Sequence, residues 1–124
     1  MKILIAEDNL MNQHLMNRYM SKLGWDFVIV ENGLLATEAC RTGDFNAILM
    51  DIDMPVLDGI EATRYIRAFN KEIPIVAITA YADDLMRNEC ADAGMNAFLA
   101  KPCSREEIKD VITECIEISS YKVV

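Results

Sequence analysis

Five polar side chains stand directly after short apolar runs of this chain, and their types point to one chemistry. Glu7 and Asp8 follow Ile3-Leu4-Ile5-Ala6, Asp51 follows Ala47-Ile48-Leu49-Met50, Thr79 follows Ile75-Val76-Ala77-Ile78, and Lys101 follows Ala97-Phe98-Leu99-Ala100. As strands of one open parallel sheet, these runs would deliver their exits to the crevice beyond the carboxyl ends, where such sheets bind ligands. Three carboxylates gathered there repel one another unless a cation sits among them. A hard divalent ion fits, and two or three carboxylates with a backbone carbonyl and waters suit magnesium better than calcium, which takes a larger oxygen shell. Lys101 adds a point positive charge and Thr79 a hydroxyl donor, so the set could neutralise and orient the oxygens of an incoming phosphoryl group. A carboxylate would then be the nucleophile, as in aspartyl-phosphate chemistry.

The elements that must position these groups are legible in the apolar pattern. The four runs, with a fifth at Phe27-Val28-Ile29-Val30 that exits at Glu31-Asn32, are continuously apolar. That pattern belongs to parallel strands covered by helices on both faces. In the strand order 2-1-3-4-5, the Glu31-Asn32 exit would lie on an outer strand. Between the runs the period becomes helical. Met11, Leu15, Met16, Tyr19, Met20 and Leu23 make one stripe between Asn9 and Leu23, closed by Gly24, and Leu35, Ala36, Ala39 and Cys40 make another before Gly43. Asp58 with Glu61, and Ser104 with Glu107, have the spacing of capping boxes. The first opens a helix carrying Ile60, Ala62, Ile66 and Phe69 inward, the second a helix carrying Ile108, Val111, Ile112, Cys115 and Ile116. From Ala82 to Ala93 the stripe of Leu85, Met86, Cys90 and Ala93 is thin, so that helix should be the least firmly anchored. Alternating strands and helices specify a single α/β domain over residues 1–124 built on one doubly wound parallel sheet, with a short tail at 118–124 and no effector domain.

Composition narrows the function. The 124 residues carry 12 Lys+Arg against 20 Asp+Glu, a formal charge of -8 that disfavours nucleic acid as a partner. Four cysteines without a CxxC pair, and a single histidine, signal neither a zinc site nor a redox dithiol, so most cysteines should be small core residues. The amino-terminal apolar run is too short for a signal peptide and no run is long enough to span a bilayer, so the chain reads as cytoplasmic, without direct membrane contact.

Taken in order, Ile3-Leu4-Ile5-Ala6-Glu7-Asp8-Asn9, Met50-Asp51-Ile52-Asp53-Met54-Pro55-Val56-Leu57-Asp58-Gly59, Ala77-Ile78-Thr79-Ala80 and Phe98-Leu99-Ala100-Lys101-Pro102 resemble the response-regulator receiver domain over essentially the whole chain. The resemblance implies a flavodoxin-like sheet of order 2-1-3-4-5 and phosphorylation of Asp51 by a phosphohistidine donor. It implies Mg2+ held by Glu7, Asp8, Asp51 and the backbone carbonyl of Asp53, with Thr79 and Lys101 binding the phosphoryl oxygens. It also implies a switch in which Thr79 moves toward the phosphoryl group and Phe98 turns inward, remodelling the surface around residues 80–118; phenylalanine lacks a hydroxyl, so this coupling would be steric only. Asp53 and Tyr81 are the positions implied to tune autodephosphorylation, and Lys101-Pro102 is implied to be cis. The stretches from Glu7 to Gln13 and from Asp58 to Arg67 are most similar to receivers of hybrid sensor histidine kinases. That implies a histidine kinase or a histidine-containing phosphotransfer domain as partner, met by the exposed side of the first helix, where Asn12 and Gln13 lie. A weak homodimer through the last helices is left open.

Plainer roles exist for the same residues. Glu7 and Asp8 suit the N-cap region of the first helix, Asp51 a turn cap, Thr79 and Lys101 an ordinary strand-end hydroxyl and an exposed lysine, and Phe98 a core aromatic. Met11, Leu15 and Met16 suit the core as well as a partner surface, and His14 falls opposite the apolar stripe, where it would be solvated. Cys103 is either exposed and oxidisable or buried and inert. Two other functions compete: a receiver-like binding module that is never phosphorylated, and a small phosphatase of the haloacid-dehalogenase type, which Asp51-Ile52-Asp53 imitates. The phosphatase places its nucleophile after the first strand, whereas here the pair follows the third. A flavin-binding protein is disfavoured because no Ser/Thr/Gly-rich phosphate loop follows the first strand. The chain thus reads as a phosphoacceptor signalling domain rather than an enzyme, catalysing only its own phosphorylation and dephosphorylation, alone or within a hybrid kinase.

Overall fold

Each apolar run becomes a strand and each periodic stretch a helix. The computed structural model describes residues 1–121 and orders them as β1 (Lys2–Ala6), α1 (Leu10–Leu23), β2 (Asp26–Val30), α2 (Gly33–Thr42), β3 (Ala47–Asp51), α3 (Gly59–Phe69), β4 (Ile75–Thr79), α4 (Asp84–Ala93), β5 (Ala97–Ala100) and α5 (Arg105–Tyr121). The strands form one parallel, doubly wound sheet of order β2-β1-β3-β4-β5, as expected for a flavodoxin-like fold.

Because successive strand residues point to opposite faces, the sheet divides the core in two. Leu4, Ala6, Ile48, Met50, Ile75 and Ala77 pack with Ala36 and Cys40 of α2, Ala62 and Ile66 of α3, and Cys90 of α4. Ile3, Ile5, Ala47, Leu49, Val76 and Ile78 pack with Met16 and Met20 of α1 and Ile108, Ile112 and Cys115 of α5. Burial on both faces holds for β1, β3 and β4, apart from the first residue of β1, Lys2. At the edge, β2 is only half covered and Val28 is exposed, so its continuous apolarity overstates its burial.

Capping accounts for where the helices begin. The side chains of Asn9, Asn32, Asp58 and Asp83 each accept a hydrogen bond from the backbone N–H three residues on, at 3.0, 2.8, 2.8 and 2.7 Å. Ser104 and Glu107 form the complete reciprocal box, at 3.1 Å in both directions. Asp58 and Glu61 form half of one, because the Glu61 carboxylate turns to Arg64 instead.

Several expectations are corrected. Met11 and Leu15 of α1, Leu35 of α2, Phe69 of α3 and Leu85 of α4 are exposed rather than inward, since a stripe this wide exceeds the face each helix presents to the sheet. Phe69 is covered from outside by the Arg41 guanidinium, 4.4 Å from the ring centroid. The tail placed at 118–124 is helical through Tyr121, with no Gly or Pro to stop α5 there; Lys122, Val123 and Val124 lie outside the described residues. All four cysteines are free and buried, and burial, helped by the Glu107 charge, pushes the Cys103 thiol up to about 11, which selects the inert alternative for that residue. Among the described residues no helix is long and apolar enough to cross a membrane.

Candidate functional site

The sheet register sets the site. Met50 is level with Ala6 and Ala77, Asp51 with Ile78, and Thr79 with Ala100. Glu7, Asp51, Thr79 and Lys101 therefore emerge together at the carboxyl edge. Backbone hydrogen bonds continue past the strand ends, from Glu7 N–H to the Val30 carbonyl at 2.9 Å and from Lys101 N–H to the Thr79 carbonyl at 2.7 Å, so the exits are held as firmly as the strands. Beneath Asp51 the backbone of α3 passes so closely that a Cβ at Gly59 would lie 2.1 Å from the Asp51 carbonyl oxygen; only glycine permits that approach.

Carboxylate oxygens of Glu7, Asp8 and Asp51 all lie within 4.8 Å of one another. Glu7 and Asp51 are 3% and 4% exposed, whereas Asp8 faces solvent. The Lys101 ammonium joins the buried pair, donating to Glu7 Oε1 at 2.7 Å and Asp51 Oδ2 at 3.1 Å. Burial and the neighbouring Glu7 carboxylate push Asp51 up to about 7, although Lys101 pulls the other way. Burial also raises Glu7, but hydrogen bonds from Asp51 and Lys101 outweigh it and leave Glu7 below its ordinary value. Lys101 is held above its own, because the hydrogen bond to Glu7 and the Asp51 charge exceed the cost of burial. Asp51 is thus pushed up and Glu7 down because the two buried carboxylates share the single Lys101 ammonium. An all-oxygen, triply acidic donor set, open to solvent at Asp8, matches what magnesium accepts.

The other expected residues distribute around this centre. Thr79 is buried, and its Oγ1 accepts from the Tyr81 N–H at 3.1 Å, while the Tyr81 ring is exposed. Asp53 is exposed in the loop after β3, and its side chain is outside the three-carboxylate cluster. Phe98, half-buried on β5, carries the Arg87 guanidinium of α4 at 4.7 Å from its ring centroid. Lys101-Pro102 is cis. The N-cap of α1 is Asn9, which leaves Glu7 and Asp8 free of that role, and His14 is exposed. Two contacts had no signal in the sequence. Arg87 over Phe98 joins residues on different elements with no shared motif. Gln13, placed with the donor-facing surface, instead turns its amide inward and donates to the Glu7 carbonyl at 2.7 Å.

Comparison with known proteins agrees with this geometry. A family model, the response regulator receiver domain, matches residues 3–113. The osmosensing histidine protein kinase SLN1 of Saccharomyces cerevisiae is 38% identical over 125 residues, covering 91% of this chain but 10% of that relative. The chain thus spans about a tenth of that kinase's length. Among solved structures, the receiver domain of the sensor histidine kinase PA1611 from Pseudomonas aeruginosa, with a magnesium ion in its active-site cleft, is 40% identical with a TM-score of 0.88, covering 94% of this chain and 97% of that one. The receiver domain of Saccharomyces cerevisiae Ssk1, in complex with the histidine phosphotransfer protein Ypd1, is 31% identical with a TM-score of 0.86, covering 92% of this chain and 87% of that one. With the sheet order, the acidic cluster and the matched span in agreement, the chain belongs to the response regulator receiver domain family of two-component and phosphorelay signalling.

Proposed function

We propose that Asp51 accepts a phosphoryl group from a phosphohistidine in a magnesium-dependent step. An Asp51 carboxylate oxygen attacks phosphorus, the P–N bond to the donor imidazole breaks, and the imidazole leaves with that electron pair. Glu7, Asp8, Asp51 and the Asp53 backbone carbonyl would hold the ion, which supplies positive charge against the phosphoryl oxygens. Lys101 supplies the second positive charge, and Thr79 a hydroxyl donor from the neighbouring strand end. The observation that carries this is the pairing of Lys101 with both Glu7 and Asp51 beside Asp8: a nucleophile, its charge partner and a metal-binding set in one crevice.

The partner of this reading is a histidine kinase or a histidine-containing phosphotransfer domain, and the chain is a cytoplasmic phosphoacceptor rather than an enzyme with a separate substrate. Leu10 and Met11, 65% and 80% exposed at the start of α1, provide an apolar surface directly beside Asp8 for such a donor. Thr79 and Phe98 would carry the switch to α4, β5 and α5, and Asp53 and Tyr81, both exposed beside the crevice, would set the lifetime of the phosphoryl group. Label transfer from a phosphorylated histidine-containing phosphotransfer protein tests this. Wild type should take up label with Mg2+ and not with EDTA, and Asp51→Asn should take up none. Labelling of Asp51→Asn equal to wild type would overturn the assignment.

A further inference from the structure

We propose that Gln13 is a positioning residue for the metal site, holding Asp8 in place through the backbone of the turn between β1 and α1. This rests on Glu7, Asp8 and Asp51 being the magnesium ligands. Among the described residues no hydrogen bond or ion pair holds the Asp8 carboxylate, and the side chain faces solvent, yet it lies within 4.8 Å of two buried carboxylates. Its place is therefore fixed by its backbone. The two peptide groups that flank Asp8 are both clamped. The carbonyl of the first, that of Glu7, accepts from Gln13 Nε2 at 2.7 Å, and the N–H of the second, that of Asn9, donates to Glu7 Oε2 at 3.2 Å. Gln13 is itself held by the first turn of α1, where its N–H donates to the Asn9 carbonyl at 2.9 Å and the Asn9 side chain caps Asn12 at 3.0 Å. Glu7, Asn9 and Gln13 thus close a ring of hydrogen bonds around the residue between them.

The chemistry of the clamp needs a neutral donor of this length. A glutamate at position 13 would set a carboxylate against a carbonyl, and an asparagine would be one methylene short. Without the clamp the Glu7–Asp8 peptide loses the bond that holds its carbonyl, while the Glu7 and Asn9 N–H bonds remain. Its added freedom is passed to the Asp8 Cα–Cβ bond, so the ion must order the turn as it binds and binds more weakly.

Calorimetric titration of the metal-free chain with Mg2+ at pH 8 tests this. Gln13→Met keeps the shape and removes the donor, and should raise the Mg2+ dissociation constant by about two- to tenfold, the range for one net hydrogen bond. Gln13→His, whose Nε2–H has a similar reach, should return it to within about twofold of wild type by the same bond. In the wild type, NMR should detect a scalar coupling across the bond from the Gln13 side-chain amide to the Glu7 carbonyl, a readout that survives if a variant does not fold. Unchanged Mg2+ affinity in folded Gln13→Met, even with lowered stability, or the absence of that coupling, would overturn the positioning role. Asp8→Asn separates the two ideas: if it leaves Mg2+ affinity unchanged, the metal-site assignment fails first and the role of Gln13 with it.

Discussion

Stability of the metal-free protein should fall between pH 5 and pH 8, and Asp51→Asn should remove most of that fall. Asp51 stands at about 7 in the folded chain against an ordinary 3.8, so the folded state binds its proton more tightly than the unfolded chain does. A carboxyl raised in this way contributes stability while protonated, and that contribution is lost as pH rises from the lower value through the higher. About three pH units at ~1.36 kcal/mol each amount to ~4 kcal/mol in all, of which ~1.5 is already lost at pH 5 and nearly all at pH 8. The expected decline across the window is therefore ~2–3 kcal/mol. Other shifted groups do not cancel it. Glu7 is lowered, so its contribution is complete above its ordinary 4.5, and Lys101 is raised, so its contribution is complete below its ordinary 10.5. Urea denaturation followed by circular dichroism in EDTA, at unit steps from pH 5 to pH 8, measures the slope. In a domain of this size the decline corresponds to about 10 °C in Tm. At pH 8 Asp51→Asn should be the more stable protein, and saturating Mg2+, which binds the ionised carboxylates, should flatten the wild-type slope. A wild-type stability that is level or rising over this window, or an Asp51→Asn protein no more stable than wild type at pH 8, would refute the electrostatic reasoning.

Three further outcomes follow from the same contacts. Lys101→Met leaves the buried Glu7 and Asp51 without their cation, and should lose about 3 kcal/mol in EDTA at pH 8 and less with Mg2+ present, as read by denaturant titration, together with slower phosphoryl uptake. Gly59→Ala drives a Cβ against the Asp51 and Ile52 backbone, which cannot yield as a side-chain tip would; a loss of about 1–3 kcal/mol with impaired phosphorylation is expected, and unchanged values for both would show that the approach is looser than described. Ser104→Ala removes one half of the α5 capping box and should cost about 1 kcal/mol in thermal unfolding while phosphorylation in the same preparation stays at the wild-type level.

The strand order 2-1-3-4-5 came from the resemblance to the receiver family, whereas strand identity was legible because parallel strands carry their burial in unbroken apolar runs, and because each run ends at a residue that would be costly to bury alone. Glu7, Asp51, Thr79 and Lys101 were findable for that reason: sequence position after a strand translates directly into position at the sheet edge. Local capping was equally readable at Asp58 and Ser104, where donor and acceptor lie three residues apart. What the sequence concealed depends on contacts between distant elements. Nothing in the helical period of α1 distinguishes Gln13, which faces the site, from Met11, which faces solvent, because that choice is made by where α1 crosses β1. The edge position of β2 exposes Val28 despite an apolar run like the others. Arg87 reaches Phe98 only because α4 lies along β5, and the end of α5 was misplaced because Ile118-Ser119-Ser120-Tyr121 carries neither the apolar period nor a residue that stops a helix.

Intact mass after incubation with a small-molecule phosphodonor tests the central assignment most directly, on wild type and Asp51→Asn, each with Mg2+ and with EDTA. A nucleophilic Asp51 in a magnesium site predicts one added phosphoryl group on wild type, released by hydroxylamine, dependent on Mg2+ and absent from Asp51→Asn. An adduct that persists in Asp51→Asn or forms equally in EDTA would contradict it. So would the absence of any adduct and of any beryllofluoride complex on folded wild-type protein beside a working control receiver.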